Sequence, residues 1–204
     1  MNVSQLEKDL SAAKNPKQAK QLQRFFKTSP GEYGHGDIFL GIKVPAQRKI
    51  CEKYINLNFT EIQKLLNSKI HEHRFCALII LISKYQKASD AEKKKIINFY
   101  IKNSERINPV RNRSPRGGRS PSLKARAVSN GINNWDLVDV SAPKIVGEYL
   151  LNKNPSAKLR TSKAILYKLA NSKNLWQKRI AILATLTFIK NNQFRRHTMM
   201  IEST

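Results

Sequence analysis

Acidic residues are scarce in this chain. Fourteen Asp and Glu stand against thirty-eight Lys and Arg, a formal net charge of +24 over 204 residues. Such an imbalance repels cationic ligands and draws polyanions, so DNA, RNA or an anionic membrane surface is the expected partner class. Long apolar runs are also missing. The longest, Phe75 to Ile82, is far shorter than the roughly 20 residues that cross a bilayer. Met1 to Lys8 lacks a basic region followed by an apolar one, so no secretory signal is expected. Cysteine is nearly absent. Cys51 and Cys76 are isolated, without metal or redox spacing. Cys76 sits in the apolar run and is expected to be a buried small hydrophobe. His35, His71, His73 and His197 form no ligand-like cluster, so neither metal nor cofactor is expected. These absences together point to the cytoplasm, without a membrane anchor.

Strand signals are weak as well, and helical spacing dominates what is present. Val3 to Lys14 reads as a first helix, with Ser4 and Glu7 in capping-box spacing. Asn15-Pro16 breaks it, and Pro16 suits the first turn of a second helix ending near Lys27. Gly31 to Asp37 is a glycine-rich loop leading into a buried connector, Ile38 to Pro45, with Pro45 opening a helix over Ala46 to Ile55. Thr60 to Asn67 is a short helix, and Ser68 caps the next, Ile70 to Tyr85. That helix is apolar nearly all round and should be buried between neighbours. Ser89 and Asp90 open another. Val138, Ala142, Ile145, Val146, Tyr149 and Leu150 fit one helical face, with Pro143 near its first turn or kinking it. Lys158 to Ala170 and Leu175 to Lys190 complete the series. Helices of about 10–17 residues with short loops predict an all-α fold, an α-solenoid of stacked antiparallel hairpins with a concave basic face. No strict repeat period is visible.

One segment stands apart. Residues 109–132 hold three prolines, three glycines and six Lys or Arg, and no acid. The duplicated Ile-Asn dipeptide at its edges, Ile107-Asn108 and Ile132-Asn133, points to an insert into a helix-to-helix connection, and its composition predicts disorder. The single domain 1–204 is expected to be interrupted there. The insert carries +6, so the body keeps +18 and the polyanion argument does not depend on it.

Because acids are few, their placement is informative. Asn133-Asn134-Trp135-Asp136-Leu137-Val138-Asp139 puts an indole one helical turn from a carboxylate. In a helix, Trp135 and Asp139 share a face. A flat aromatic beside an anion suits a site that meets a nucleic-acid sugar and base. The same spacing also fits a core tryptophan and a helix-capping aspartate. Asp136 is expected to cap or orient rather than to act as a second catalyst.

With these stretches in place, the chain resembles the DNA alkylation repair (AlkD-like) family of HEAT-like-repeat DNA glycosylases. The resemblance rests on Phe26-Lys27 with Gly31-Glu32-Tyr33-Gly34, and on Phe39 to Pro45 with Arg48. It continues through His71-Glu72 with Arg74, Asn134 to Asp139, and Asn174 to Arg179 with Ala181-Ile182-Leu183. It implies excision of purines alkylated at ring nitrogens, such as 3-methyladenine and 7-methylguanine, from duplex DNA. Asp139 matches the catalytic aspartate, Trp135 a cleft tryptophan and Arg179 an arginine on the DNA backbone. Lys43, Arg48 and Trp176 complete the expected DNA-binding set, with Trp176 also open to a core role. The resemblance also makes His71-Glu72-His73 structural. The family continues with another helical pair, whereas Phe194 to Thr204 shows no amphipathic helix and reads as a truncation or a shifted frame. A monomer is expected. Two rival readings are a non-catalytic helical-repeat DNA-binding module and a protein-interaction scaffold of HEAT type.

Overall fold

The computed structural model describes residues 1–30, 32–105, 131–151 and 164–192. The expected insert lies outside these residues except for Gly131 and Ile132, as do the start of the Lys158 helix and the Phe194–Thr204 tail. Among the described residues the regular structure is helical, and the β content is one parallel bridge, Ile38 to Ile70. The all-α expectation holds. The helices are α1 (Val3–Ala12), α2 (Pro16–Phe25), α3 (Val44–Glu52), α4 (Phe59–Leu66), α5 (His71–Lys87) and α6 (Asp90–Ser104). Then come α7 (Trp135–Ala142), a π-helical turn (Pro143–Gly147) and α8 (Glu148–Leu151). Residues 164–170 form α9, and Leu175–Lys190 forms α10.

Local chemistry sets the helix starts. Asn58 and Glu61 form a reciprocal capping box on α4, and Ser89 and Glu92 form one on α6, each meeting two otherwise orphaned N–H groups. Two expected caps are corrected. The cap of α1 is Asn2, whose side chain accepts from the Gln5 amide at 3.0 Å. Ser4 is already inside that helix. Ser68 accepts from the Ile70 amide at 3.1 Å, but α5 begins only at His71, because Ile38 claims the backbone on either side of Ile70. The Ile38 amide donates to the Lys69 carbonyl at 3.0 Å, and the His71 amide donates to the Ile38 carbonyl at 2.8 Å.

The chain divides into two compact units, with the division inside α5 after Ala77. In the first, α1 packs on α3 and α4 around Leu6, Leu10, Cys51, Ile62, Leu65 and Leu66, all buried. Three charged or polarisable side chains at the start of α5 organise this unit. Glu72 is fully buried and accepts from the amides of Leu40 (2.9 Å), Gly41 (2.8 Å) and Ile42 (3.4 Å). These amides of the connector have no backbone partner among the described residues, so the carboxylate meets donors that would otherwise be orphaned. Arg74 is fully buried and donates to Asp37 at 2.6 Å and to the Ser68 carbonyl at 2.9 Å. His71 lies stacked 4.5 Å from Phe39, which is itself stacked 5.0 Å from Phe26. Gly41 has φ +83°, and a Cβ there would collide with the Asn15 carbonyl and the Ala19 amide. Only glycine fits where the connector passes under α2.

The cysteine reading is corrected too. Cys51 on α3 and Cys76 on α5 are paired in a disulfide across a separation of 25 residues. Their spacing in sequence matches no motif. The packing of the two helices brings them together.

In the second unit, α10 packs on α7, the π turn and α8. Leu137, Val138, Ala142, Ile145, Val146, Ile180 and Ala184 are wholly buried. Pro143 does interrupt its helix. It has no N–H to give the Asp139 carbonyl four residues back, and its ring crowds that carbonyl. The chain answers with the π turn rather than a break. Thr187 donates to the Pro143 carbonyl at 2.9 Å. α10 lies against Gly147, where a Cβ would strike Thr187 and the Ala184 carbonyl.

Candidate active site

Helix α7 starts at Trp135, after Asn134 in extended conformation (φ −141°, ψ 151°). Asp136 occupies the first turn, where a carboxylate complements the helix dipole, and its Oδ1 accepts from the Leu137 amide at 2.8 Å. The N-cap position itself is held by Asn134, not by Asp136. Trp135 and Asp139 are both half-buried and lie four residues apart on α7. Leu137 and Val138, between them, point inward and are fully buried.

Facing Asp139 is Arg179 of α10. Its Nε donates to Oδ1 at 2.6 Å and its Nη2 to Oδ2 at 2.7 Å. The two side chains keep 41% and 35% of their exposure for Arg179 and Asp139, so the pair is open to solvent on one side. A two-point guanidinium–carboxylate contact fixes orientation as well as charge. The hydrogen bonds to Asp139, opposed by partial burial and aided by its charge, hold the Arg179 proton more firmly than usual. At this exposure the pair adds at most about 1 kcal/mol to stability. Trp176 lies three residues before Arg179 on α10 and is half-buried, so it is not wholly committed to the core. Each charged member of the pair therefore has a tryptophan one turn before it on its own helix.

Helix α6 holds both site helices. The Tyr100 hydroxyl lies 2.8 Å from the Ser141 hydroxyl, and Ser141 donates to the Leu137 carbonyl at 2.5 Å. This fastens α7. One turn further along α6, Asn174 donates to the Ser104 carbonyl at 2.8 Å and Gln177 to the Ser104 hydroxyl at 3.3 Å. Asn174 also caps α10 through the Trp176 amide at 2.9 Å. Sequence reasoning missed these fasteners. A signal was present, because Gln177 falls three residues before Ile180 on the inward stripe of α10, where a polar residue needs a buried partner.

Lys43 and Arg48, also expected on DNA, belong to the first unit. Lys43 precedes α3 and is exposed. Arg48 is half-buried with its guanidinium 5.8 Å from the centre of the Phe75 ring, a cation–π contact that leaves its charge unneutralised. The histidines near the start of α5 are structural. His71 stacks on Phe39, and His73 Nδ1 lies 3.1 Å from the Ser68 hydroxyl. Among the described residues no group of three His, Cys, Asp or Glu is placed to hold a metal ion. Nor is any helix there long and apolar enough to cross a membrane.

Fold and site together define a basic, all-helical protein presenting an Asp–Arg pair with tryptophans beside it. The chain belongs to the DNA alkylation repair enzyme family, whose model matches residues 6–111 and 121–204. The gap at 112–120 falls inside the expected insert, and the match runs on through residues 193–204. No curated protein matches the chain. Family membership makes a role in DNA alkylation repair, with DNA as the substrate, the coarse statement of function.

Proposed function

We propose that the chain is a DNA glycosylase that hydrolyses the N-glycosidic bond of cationic N-alkylated purines, such as 3-methyladenine and 7-methylguanine, in duplex DNA. The observation carrying this reading is Asp139, a part-open carboxylate one turn from Trp135 in a chain of this family. An N-alkylated purine already bears a positive charge. When its bond to C1′ breaks, both electrons go to the base, which leaves neutral without needing a strong general acid. The sugar is left as an oxocarbenium-like cation, as in glycoside hydrolysis. Asp139 stabilises that cation and orients the water that adds to C1′. The water's second proton passes to solvent, giving an abasic sugar. Trp135 offers an electron-rich face to the same cation. Trp176, Arg179, Lys43 and Arg48 bind the strand, chiefly at phosphates. The enzyme works as a cytoplasmic monomer without metal or cofactor.

The test is release of 7-methylguanine from methylated duplex DNA by the wild type and by Asp139→Asn. Removing one electrostatic stabiliser raises a barrier by about 2–4 kcal/mol, so the variant is expected to be roughly 30- to 1,000-fold slower. Equal rates would refute the assignment of Asp139. One observation favours a second reading, a non-catalytic DNA-binding module: both oxygens of Asp139 already accept from Arg179. That reading predicts salt-sensitive duplex binding and no base release.

A further inference from the structure

Within α3 only Gln47 and Cys51 are wholly buried. Neither supplies the aliphatic surface that usually seats a helix. Gln47 Nε2 donates to the Ile42 carbonyl at 2.7 Å, which ties α3 to its own lead-in, and the buried Oε1 meets no donor. Towards α5, the helix is joined by the Cys51–Cys76 bond and, one turn earlier, by Arg48 over the Phe75 ring. Both cysteines are fully buried. The two ends of this segment are held independently of the bond. Before α3, Glu72 holds the amides of Leu40, Gly41 and Ile42. After it, buried Tyr54 donates to Asp9 of α1 at 2.7 Å, and Leu57 is buried. α1 also packs on α3. Breaking the bond therefore loosens the middle of a segment that stays anchored on both sides, which is local opening rather than unfolding.

We propose that the Cys51–Cys76 bond is a redox-set control on duplex binding. Oxidised, it holds α3 so that Lys43 and Arg48 stand fixed for the strand. Reduced, α3 loosens and the two cations lose that placement. This rests on the reading above that Lys43 and Arg48 bind DNA. The reductant is a dithiol. One of its thiolates attacks a sulfur, forming a mixed disulfide and releasing the other cysteine, and its second thiolate then displaces the first cysteine. The dithiol loses two electrons and two protons, and each cysteine gains one of each. The reduced state is accommodated, because the Gln47 carbonyl lies 4.0 Å from Cys76 Sγ and can accept from its thiol. In a reducing cytoplasm the disulfides that do form are mostly transient or redox-sensing, which suits a brace on a binding helix. Since both sulfurs are buried, the attack needs α3 to open first. DNA seated on Lys43 and Arg48 keeps α3 closed and so shields the bond. The coupling is reciprocal: the factor by which oxidation tightens DNA binding is the factor by which DNA disfavours reduction.

The experiment uses the full chain and an undamaged duplex, so base release plays no part in it. Affinity is measured against salt with the chain oxidised by glutathione disulfide or reduced by dithiothreitol, and circular dichroism follows the fold. Reduction should weaken binding at least about 5-fold, the low end of an ordinary coupling between sites. It should also make the salt slope shallower by about one to two phosphate contacts. Cys51→Ser with Cys76→Ser should bind like the reduced chain and ignore dithiothreitol. Lys43→Ala with Arg48→Ala should bind weakly, and alike in both states. The control is overturned if oxidised and reduced chains bind alike, or if dithiothreitol weakens the double serine variant as much as wild type. It is equally overturned if both thiols stay titratable after oxidation, or if reduction melts helix throughout the chain. If the double serine variant does not fold, the wild-type comparison and the Lys43, Arg48 variant decide. If the oxidised wild type binds no duplex at low salt, the DNA reading itself fails, and hydrogen exchange judges the device alone. Reduction must then speed exchange of the α3 amides and spare those of α5; any other pattern overturns it.

Discussion

Glu72 offers the sharpest test of how the first unit is held. Its carboxylate is fully buried and accepts from three consecutive amides, Leu40, Gly41 and Ile42. Oε1 serves Gly41 and Ile42, and Oε2 serves Leu40. Glu72→Gln keeps the volume but replaces one oxygen with an NH2 group. If the remaining oxygen stays on Gly41 and Ile42, the Leu40 amide faces a donor. One charge-assisted hydrogen bond is lost, worth about 1.5–3 kcal/mol, and the orphaned amide adds part of its desolvation cost. The expected destabilisation is about 2–4 kcal/mol. Glu72→Ala orphans three amides and leaves a cavity, so it should exceed Glu72→Gln by at least about 1 kcal/mol. Urea denaturation reads both through the midpoint at constant slope. A loss under about 1 kcal/mol for Glu72→Gln, with the slope unchanged, would refute the account of the connector as held by this carboxylate. The connector runs straight into Lys43, so a real loss should also weaken duplex binding.

Burial, aided by the nearby Arg74 charge, pushes His73 down from its usual 6.5 to about 4. Between those pH values the unfolded chain takes up a proton that the folded chain refuses, so stability falls as pH drops from 6.5 to 4. Chemical denaturation should show that fall as about 2–3 kcal/mol, and His73→Gln should flatten it. Burial alone would raise Asp37, but the hydrogen bond from His71 and the charge of Arg74 outweigh it and hold the carboxyl below 3.8. Its contribution is therefore complete above pH 3.8 and is lost as pH falls further, and Asp37→Asn should remove that acid limb. Gly41→Ala should cost about 3 kcal/mol or more of stability, read as a drop in Tm, because a Cβ collides with backbone at a left-handed φ. With Cys51 and Cys76 paired, reduction should cost about 3 kcal/mol by the chain-entropy account. Thiol labelling and Tm with and without reductant check this, and a Tm unmoved by reductant would show that the bond adds no stability.

What could be read from the sequence were features set by neighbours a few residues away. The Asn15-Pro16 break, the Ser89 cap and the whole of α10 follow from local propensities and hydrophobic spacing. So does the shared face of Trp135 and Asp139, because it needs only that α7 be a helix. What could not be read depends on partners distant in sequence. The Asp139–Arg179 contact spans 40 residues, Arg74–Asp37 spans 37 and Glu72–Gly41 spans 31. His71-Glu72-His73 advertises charge in an apolar helix, but only the folded connector explains why Glu72 must be an acid. Likewise the disulfide follows from α3 lying beside α5, which no spacing rule encodes. Ser4 misled because its fit to a capping box is as good as that of Asn58. Asn2, two residues earlier, could start the helix sooner and bury Val3.

The π turn after Asp139 shifts the angular phase of the helix that carries it. A wider turn sets the residues beyond it back by about one position, or roughly 100° around the helix axis. The directions of Tyr149 and Leu150, both buried, therefore depend on the π turn as well as on α7. Pro143 thus separates two requirements that an unbroken helix would couple: the direction of Asp139 and the direction of Tyr149 and Leu150. Deleting one residue within 143–147 would restore an ordinary helix and turn one end against the other. If the core kept Tyr149 and Leu150, Asp139 would swing away from Arg179. If the ion pair held, the core beyond it would be rotated out. The chain can tolerate substitutions along this helix far better than any change in its count.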